Sequence, residues 1–249
     1  MIDQIIRKLA EADMVLVGLG EELDALNEIR QERIYKELNE ELSNFNILPY
    51  AEKLMIEEKK KSRQLVYKSL ADKLQGKNYF VITTCLDGLV RGCGLNEERI
   101  VEPCGSYDKL QCSEKCRADL YDVPKELIQQ AGKFLEKGMN EKDFKEPTCP
   151  YCGASLIFNN VNAQNYLEEG YLDKWKIYKK WLQGTINKKV CLLEIGVGMK
   201  YPTVIRWPFE KITFYNQKSE LFRIHSRIYQ ITGEIKERGH GICQKPEEF

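Results

Sequence analysis

The spacing of apolar residues changes several times along the chain, and each change marks an element. Ile5, Leu9 and Ala12 recur at helical spacing, after which Met14-Val15-Leu16-Val17 forms a short apolar run closed by Gly18-Leu19-Gly20. This predicts helix, strand and tight turn. From Glu21 to about Asn46, and again from about Ala51 to Gln75, helical spacing returns in segments rich in Glu, Lys, Leu and Arg, with a break at Leu48-Pro49-Tyr50. Tyr79-Phe80-Val81-Ile82-Thr83-Thr84 is β-branched and aromatic, as a buried strand requires, and Arg99-Ile100-Val101-Glu102 is a second candidate. Lys125 to Gly138 reads as a polar helix, Asn140 to Lys145 as loop, and Ser155-Leu156-Ile157-Phe158 as a strand. Tyr171, Trp175, Tyr178, Trp181 and Leu182 return at helical spacing, which predicts the core face of a long helix. Two more strands are expected: Val190 to Ile195, ended by Gly196-Val197-Gly198, and Lys211 to Tyr215, ended by Asn216 and Gln217.

Apolar strands alternating with helices imply an α/β fold, a Rossmann-like parallel sheet with helices on both faces. Ligands of such sheets lie at the carboxyl ends of the strands. Four clusters are expected to meet there: Gly18 and Gly20, Thr83, Thr84 and Asp87, Gly196 and Gly198, and Asn216 with Gln217. Glycine lets the backbone approach a phosphate, while Asn and Asp bond ribose or amide groups, so the content suits a nucleotide.

Four of the nine cysteines change the picture. Cys112 and Cys116 form one close pair, and Cys149 and Cys152, in Pro147-Thr148-Cys149-Pro150-Tyr151-Cys152-Gly153, form another. Two such turns can present four thiolates to one Zn²⁺; the other reading is a disulfide pair or unrelated buried thiols. Zinc is the expectation, because the charge is balanced and the opening Met1-Ile2-Asp3 begins no secretory leader, which also makes the cytoplasm the expected home. A small zinc-binding domain over 103–155 would then interrupt a Rossmann-like domain made of 1–102 and 156–249. So little apolar material lies between the pairs that metal is expected to hold the insert together.

Lys+Arg and Asp+Glu each total 38 in 249 residues, so no net field draws the molecule to nucleic acid or to an anionic membrane. No segment approaches the run of about 20 apolar residues that spans a bilayer. Lys59-Lys60-Lys61 directly follows Glu57-Glu58 and reads as a solvated helix face.

The order of motifs resembles the sirtuins, NAD-dependent protein deacylases and ADP-ribosyltransferases. Gly18-Leu19-Gly20 is similar to their first glycine turn, and Thr83-Thr84-Cys85-Leu86-Asp87-Gly88-Leu89 to their T-Q-N-x-D-G-L segment. Glu102-Pro103-Cys104-Gly105-Ser106 resembles E-L-H-G-S; the four cysteines follow, then Gly196-Val197-Gly198-Met199 with Pro202, and then Asn216. The resemblance implies NAD lying between a Rossmann-like domain and a zinc-binding small domain. It further implies Asp87 on the nicotinamide carboxamide, Thr83, Thr84 and Ser106 on ribose, and Leu19, Val197 and Gln217 beside the glycine and Asn contacts.

This chain departs from the pattern at the chemistry. Cys104 stands where the family has its histidine base, Cys85 where it has the asparagine that positions water and ribose, and Thr84 where it has glutamine. A thiol with a pKa near 8.5 is a poor base unless a cation lowers it, and the nearest candidate is Arg91. Cys104 is read either as a small packed residue or as a nucleophile. Glu21 and Glu22 follow the first turn; they would repel a phosphate at the next helix start, or face solvent and leave room for one. Two functions follow: an ADP-ribosyltransferase or NAD hydrolase weak in deacylation, acting on a protein substrate, or an inactive sirtuin-fold protein that binds NAD, ADP-ribose or a protein partner.

Overall fold

The computed structural model describes residues 2–42, 46–136 and 143–249. In chain order its elements are α1 (Ile2–Glu11), β1 (Met14–Leu19), α2 (Ala25–Ile29), α3 (Arg33–Leu42), α4 (Leu48–Lys73), β2 (Tyr79–Thr83), β3 (Ile100–Val101) and β4 (Gly105–Cys112). Then come β5 (Leu120–Asp122), α5 (Lys125–Leu135), β6 (Leu156–Asn160), α6 (Glu169–Gln183), β7 (Val190–Ile195), α7 (Arg206–Tyr215), β8 (Ser219–His225) and β9 (Gly239–Cys243). The predicted positions 138 and 140 and the segment 43–45 lie outside the described residues.

Six strands form one parallel sheet in the order β3-β2-β1-β7-β8-β9. Every residue of β1 and β7 is buried, as two-sided coverage demands. The strand order reverses between β1 and β7, whose ends are in register at Leu19 and Ile195. That reversal is the topological switch point, and it opens a crevice beyond the carboxyl ends of these two strands. On one face α6 presents Tyr178 and Trp181 to Phe80 of β2, at ring separations of 5.3 and 5.7 Å. No helix among the described residues is long and apolar enough to cross a membrane.

Three expectations need correction. Lys211–Tyr215 is not a strand but the last half of α7: Pro208 fits a first helical turn, and the buried residues Arg206, Phe209 and Thr213 fall at helical spacing. The strand that follows β7 in the sheet is β8, buried at six of seven positions. The stretch from Glu21 is a turn and two short helices, because Asp24 caps α2 through the Leu26 amide at 3.0 Å and starts it four residues late.

The insert also has a core. β5-β4-β6 form an antiparallel sheet, with β6 lying just past residue 155. Leu110, Leu156 and Phe158 from that sheet and Leu127 and Ala131 from α5 join the core of the large sheet. The Tyr50 ring of α4 lies 5.1 Å from Phe158 and 5.3 Å from Phe144. Metal therefore need not hold the whole insert, only the two cysteine turns at its edge.

Across β7 and β8, Glu194 and Arg223 form a fully buried ion pair at 2.5 and 3.2 Å, and Arg223 also reaches Glu210 at 2.8 Å and the Gln230 carbonyl at 2.7 Å. Arg223→Met, which strands Glu194 in the sheet, should lower stability to urea by about 3–5 kcal/mol, and Glu194→Met added to it should recover much of that loss. Equal stability of the single and double variants in urea titrations would show that the pair is not what balances the buried charge.

Candidate nucleotide crevice and cysteine cluster

At the switch point the chain packs backbone against backbone. A Cβ on Gly20 would stand 2.5 Å from the Gly196 carbonyl oxygen and 2.7 Å from the Val197 nitrogen, so only glycine lets the turns after β1 and β7 meet. Thr84 closes the third side: its amide donates to the Leu19 carbonyl at 3.0 Å, and Thr83 Oγ1 accepts from the Cys85 amide at 3.0 Å. These turns bring Gly20, Thr83, Thr84, Gly196, Val197 and Gly198 together. Gly18 faces Ile205 and Phe209 instead, and Leu19 is core. Ser106 Oγ accepts from the Asp108 amide at 3.3 Å.

Asn216 and Gln217 lie elsewhere. Asn216 follows α7 and its side chain donates to the carbonyls of Thr185 and Lys188, at 3.2 and 3.0 Å, just before β7 begins. That is the amino edge of the sheet, opposite the crevice. The carboxyl end of β8 is occupied by His225 and Ser226, which the sequence reading missed; the signal was the run of Leu221, Phe222 and Ile224, broken only by Arg223, that leads to them.

Two buried aspartates join the walls. Asp87 accepts from the amides of Ala25 (2.8 Å) and Leu89 (2.9 Å), while Asp24 accepts from those of Leu26 (3.0 Å) and Leu86 (2.8 Å). Each carboxylate thus ties its own loop to the other's. Burial, with Asp24 adding its charge, pushes Asp87 up to about 7, and burial raises Asp24 as well. Asp24 was also missed; an Asp before a short apolar helix is the cap signal that marks it.

Cys85 and Cys104, the two cysteines singled out in the motif order, are protonated thiols. The Cys85 thiol is fully buried and donates to the Gly20 carbonyl at 3.2 Å, and burial holds its pKa far above the usual range. Cys104 is 2% exposed; burial, then the Glu21 charge, push it up to about 12. Arg91 brings it no relief, because its guanidinium is engaged by Glu102 at 2.8 Å.

The acidic pair after the first turn points inward. Glu21 accepts from the Lys200 amide at 2.9 Å and packs against Gly198, where a Cβ would have to displace its side chain. Glu22 accepts from the Ser226 amide at 3.1 Å and from its hydroxyl. Nδ1 of His225 faces the amides of Arg227 (3.0 Å) and Ile228 (3.3 Å) and a carboxylate oxygen of Glu22 (3.0 Å), and burial lowers the ring's pKa against the opposing Glu22 charge. Of the two readings of this pair, the one in which the carboxylates face solvent does not hold: they lie at the crevice edge. The adjoining cleft, about 790 Å³, is lined by Glu21, Glu22, Glu28, Glu247 and Glu248 among others.

At the far end of the small sheet the sulfurs of Cys112, Cys116, Cys149 and Cys152 lie within 4.8 Å of one another. Two of the pairs stand 3.5 Å apart. Four thiolates around Zn²⁺ at about 2.3 Å would be separated by about 3.8 Å, so this cluster fits a tetrahedral ion.

An open parallel sheet with a crevice at its switch point and a cysteine-cornered insert defines a doubly wound nucleotide-type fold. The chain has the fold of the sirtuins over its whole length. It matches a Sir2Tm structure bound to a propionylated peptide with a TM-score of 0.59 at 16% identity, covering 100% of this chain and 94% of that one. A Sir2 structure with a p53 peptide and NAD⁺ gives 0.58 at 13% identity, covering 100% and 95%. No family model matches the sequence. A probable bifunctional ADP-ribose hydrolase/ADP-ribosyltransferase of Fusarium oxysporum f. sp. cubense is 32% identical over 142 residues, 55% of this chain and 24% of that protein. A protein ADP-ribosyltransferase of Staphylococcus aureus (strain Mu50) is 26% identical over 178 residues, 69% of this chain and 55% of that protein. The chain thus spans between a quarter and about half the length of these relatives.

Asp87 gives a measurable pH dependence. Its folded pKa, about 7, lies above the unfolded value of 3.8, so the folded state binds the extra proton between them. The stability it contributes is full below the unfolded value and is lost as pH rises through about 7. Thermal denaturation from pH 5.5 to 8 should show Tm falling, and Asp87→Asn should flatten the slope; an unchanged slope would remove Asp87 as its source.

Proposed function

We propose that the chain binds NAD or ADP-ribose across the switch-point crevice, transferring ADP-ribose to a protein acceptor or hydrolysing NAD, and does not remove acyl groups from lysine. Cys104 carries the reading. A buried thiol pushed up to about 12 accepts no proton at neutral pH, so the general-base step that deacylation needs has no group at this position. NAD supplies a nicotinamide–ribose bond that breaks with its electron pair leaving on nicotinamide, and positioning rather than a strong base governs that departure. Thr83, Thr84 and Ser106 are assigned to the ribose side. Asp87 is assigned to the carboxamide, where its oxygens keep lone pairs beyond those used by Ala25 and Leu89. The two relatives named for ADP-ribosyl chemistry support this class over deacylation.

A second reading is a protein that binds ligand without turnover. Glu21 favours it, because its carboxylate already holds the Lys200 amide beside Gly198. Calorimetry with NAD and ADP-ribose, together with an assay for nicotinamide release, separates the two. The expected result is binding, slow nicotinamide release that acetylated peptide does not accelerate, and no deacetylated peptide by mass spectrometry. NAD-dependent removal of acetyl groups by the unmodified protein would overturn the reading, and absence of any binding heat would remove the ligand itself.

The cysteine cluster is assigned to zinc, as a structural cross-link closed by four thiolates. Protein made under reducing conditions should carry about one zinc per chain, and Cys149→Ser should release it. Because the insert shares the main core, that variant should speed hydrogen exchange at residues 112–116 and 149–155 and leave β4, β6 and α5 protected. Metal-free wild-type protein by elemental analysis would refute the assignment.

A further inference from the structure

Arg63 stands apart from the other cations of the cleft. Arg227 and Lys245 also line it and form no ion pair among the described residues. Arg63, on α4, is 4% exposed and held by two carboxylates, Glu28 and Glu247, the latter at 2.6 Å. Its charge reaches the inner wall of the crevice, where it acts on Asp87 and on the buried Tyr67. A buried guanidinium needs an anion, and its planar fork fits a phosphate as well as a carboxylate.

The two partners are not equivalent. Glu28 also accepts from Lys59 at 2.7 Å and keeps a cation if Arg63 turns elsewhere. Glu247 has Arg63 alone, is over a third exposed, and sits on the three-residue turn Pro246–Glu248. The same turn lays Pro246 over the crevice: a Cβ on Gly196 would stand 3.1 Å from its ring. Lys73 lies 5.0 Å over the Phe249 ring and anchors the segment from its other end.

We propose that Arg63 is a phosphate subsite of the cleft, occupied by Glu247 as an internal stand-in that a diphosphate-bearing ligand displaces. This rests on the nucleotide-binding reading above. Exchange of one anion for another keeps the buried guanidinium paired throughout, and departure of Glu247 lifts Pro246 off the Gly196 turn. The cleft loses one carboxylate as it gains the ligand, which offsets the repulsion that its acidic lining would otherwise impose.

The test is calorimetric titration of the unmodified protein, Glu247→Gln and Glu248→Gln with ADP-ribose, inorganic pyrophosphate and adenosine, with hydrogen exchange read at residues 246–249. Glu247→Gln should bind ADP-ribose about fivefold more tightly at low salt and less so at high salt, as a charge effect requires. Pyrophosphate should follow ADP-ribose, adenosine should be indifferent, and Glu248→Gln, which removes a lining charge but no partner of Arg63, should gain clearly less than Glu247→Gln. ADP-ribose should speed exchange at 246–249. A gain of affinity cannot come from misfolding, so a destabilised variant does not imitate it. Equal ADP-ribose affinity in the unmodified protein and Glu247→Gln, or an equal gain for adenosine, would overturn the subsite and leave the nucleotide reading standing. Failure of all three proteins to bind ADP-ribose would overturn both.

Discussion

The reciprocal clasp of Asp24 and Asp87 is the constraint on which the crevice depends. Each side chain accepts two backbone amides, one on its own loop and one on the other, so the turn after β1 and the loop after β2 cannot move independently. Four buried donors are satisfied by two carboxylates. Replacing either oxygen set would orphan buried amides, at about 1–3 kcal/mol each. The cost of the arrangement is two neighbouring buried acids, and the raised pKa of both is the form that cost takes.

With the loops clasped, the sheet does the rest. Parallel order reversing between β1 and β7 opens a crevice at their carboxyl ends, and Gly20 lets the two turns close to backbone distance beneath it. The insert then follows as an extension of this core. Tyr50 and Phe158 pack with tilted rings between α4 and β6, which is why the cysteine turns form a local cross-link at one edge.

Much of this was legible in residue order. The apolar runs at Met14, Tyr79 and Val190 are strands, Glu194 being the one charge among them and paired in the sheet with Arg223, and the paired cysteines announce their own convergence. Lys211–Tyr215 misled because its branched and aromatic residues satisfy a strand pattern over five residues; only Pro208 and the buried Arg206, Phe209 and Thr213 reveal the helical period. That slip moved Asn216 to the wrong edge of the sheet and hid His225. Side-chain direction was not legible at all. Glu21 and Glu22 open what looks like a solvated helix, yet the chain turns there and both carboxylates find backbone amides across the crevice. Arg63 and Glu247, 184 positions apart, carry no local signal of their pairing.

The crevice is therefore short of bases and rich in acceptors. Cys85 donates to a carbonyl, Cys104 keeps its proton, and Nδ1 of His225 is enclosed by two amides and the Glu22 carboxylate. The carboxylates could accept a proton, but Glu21 and Glu22 are committed to the Lys200 and Ser226 amides, and Asp87 to two others. On the proposed reading, such a site would orient a sugar and stabilise positive charge developing at its anomeric carbon through the carboxylates that line it. It is poorly equipped to take a proton from a hydroxyl. Departure of a neutral leaving group from a positively charged glycosyl bond asks for the first capacity and not the second, and that asymmetry separates ADP-ribosyl chemistry from deacylation on a shared fold.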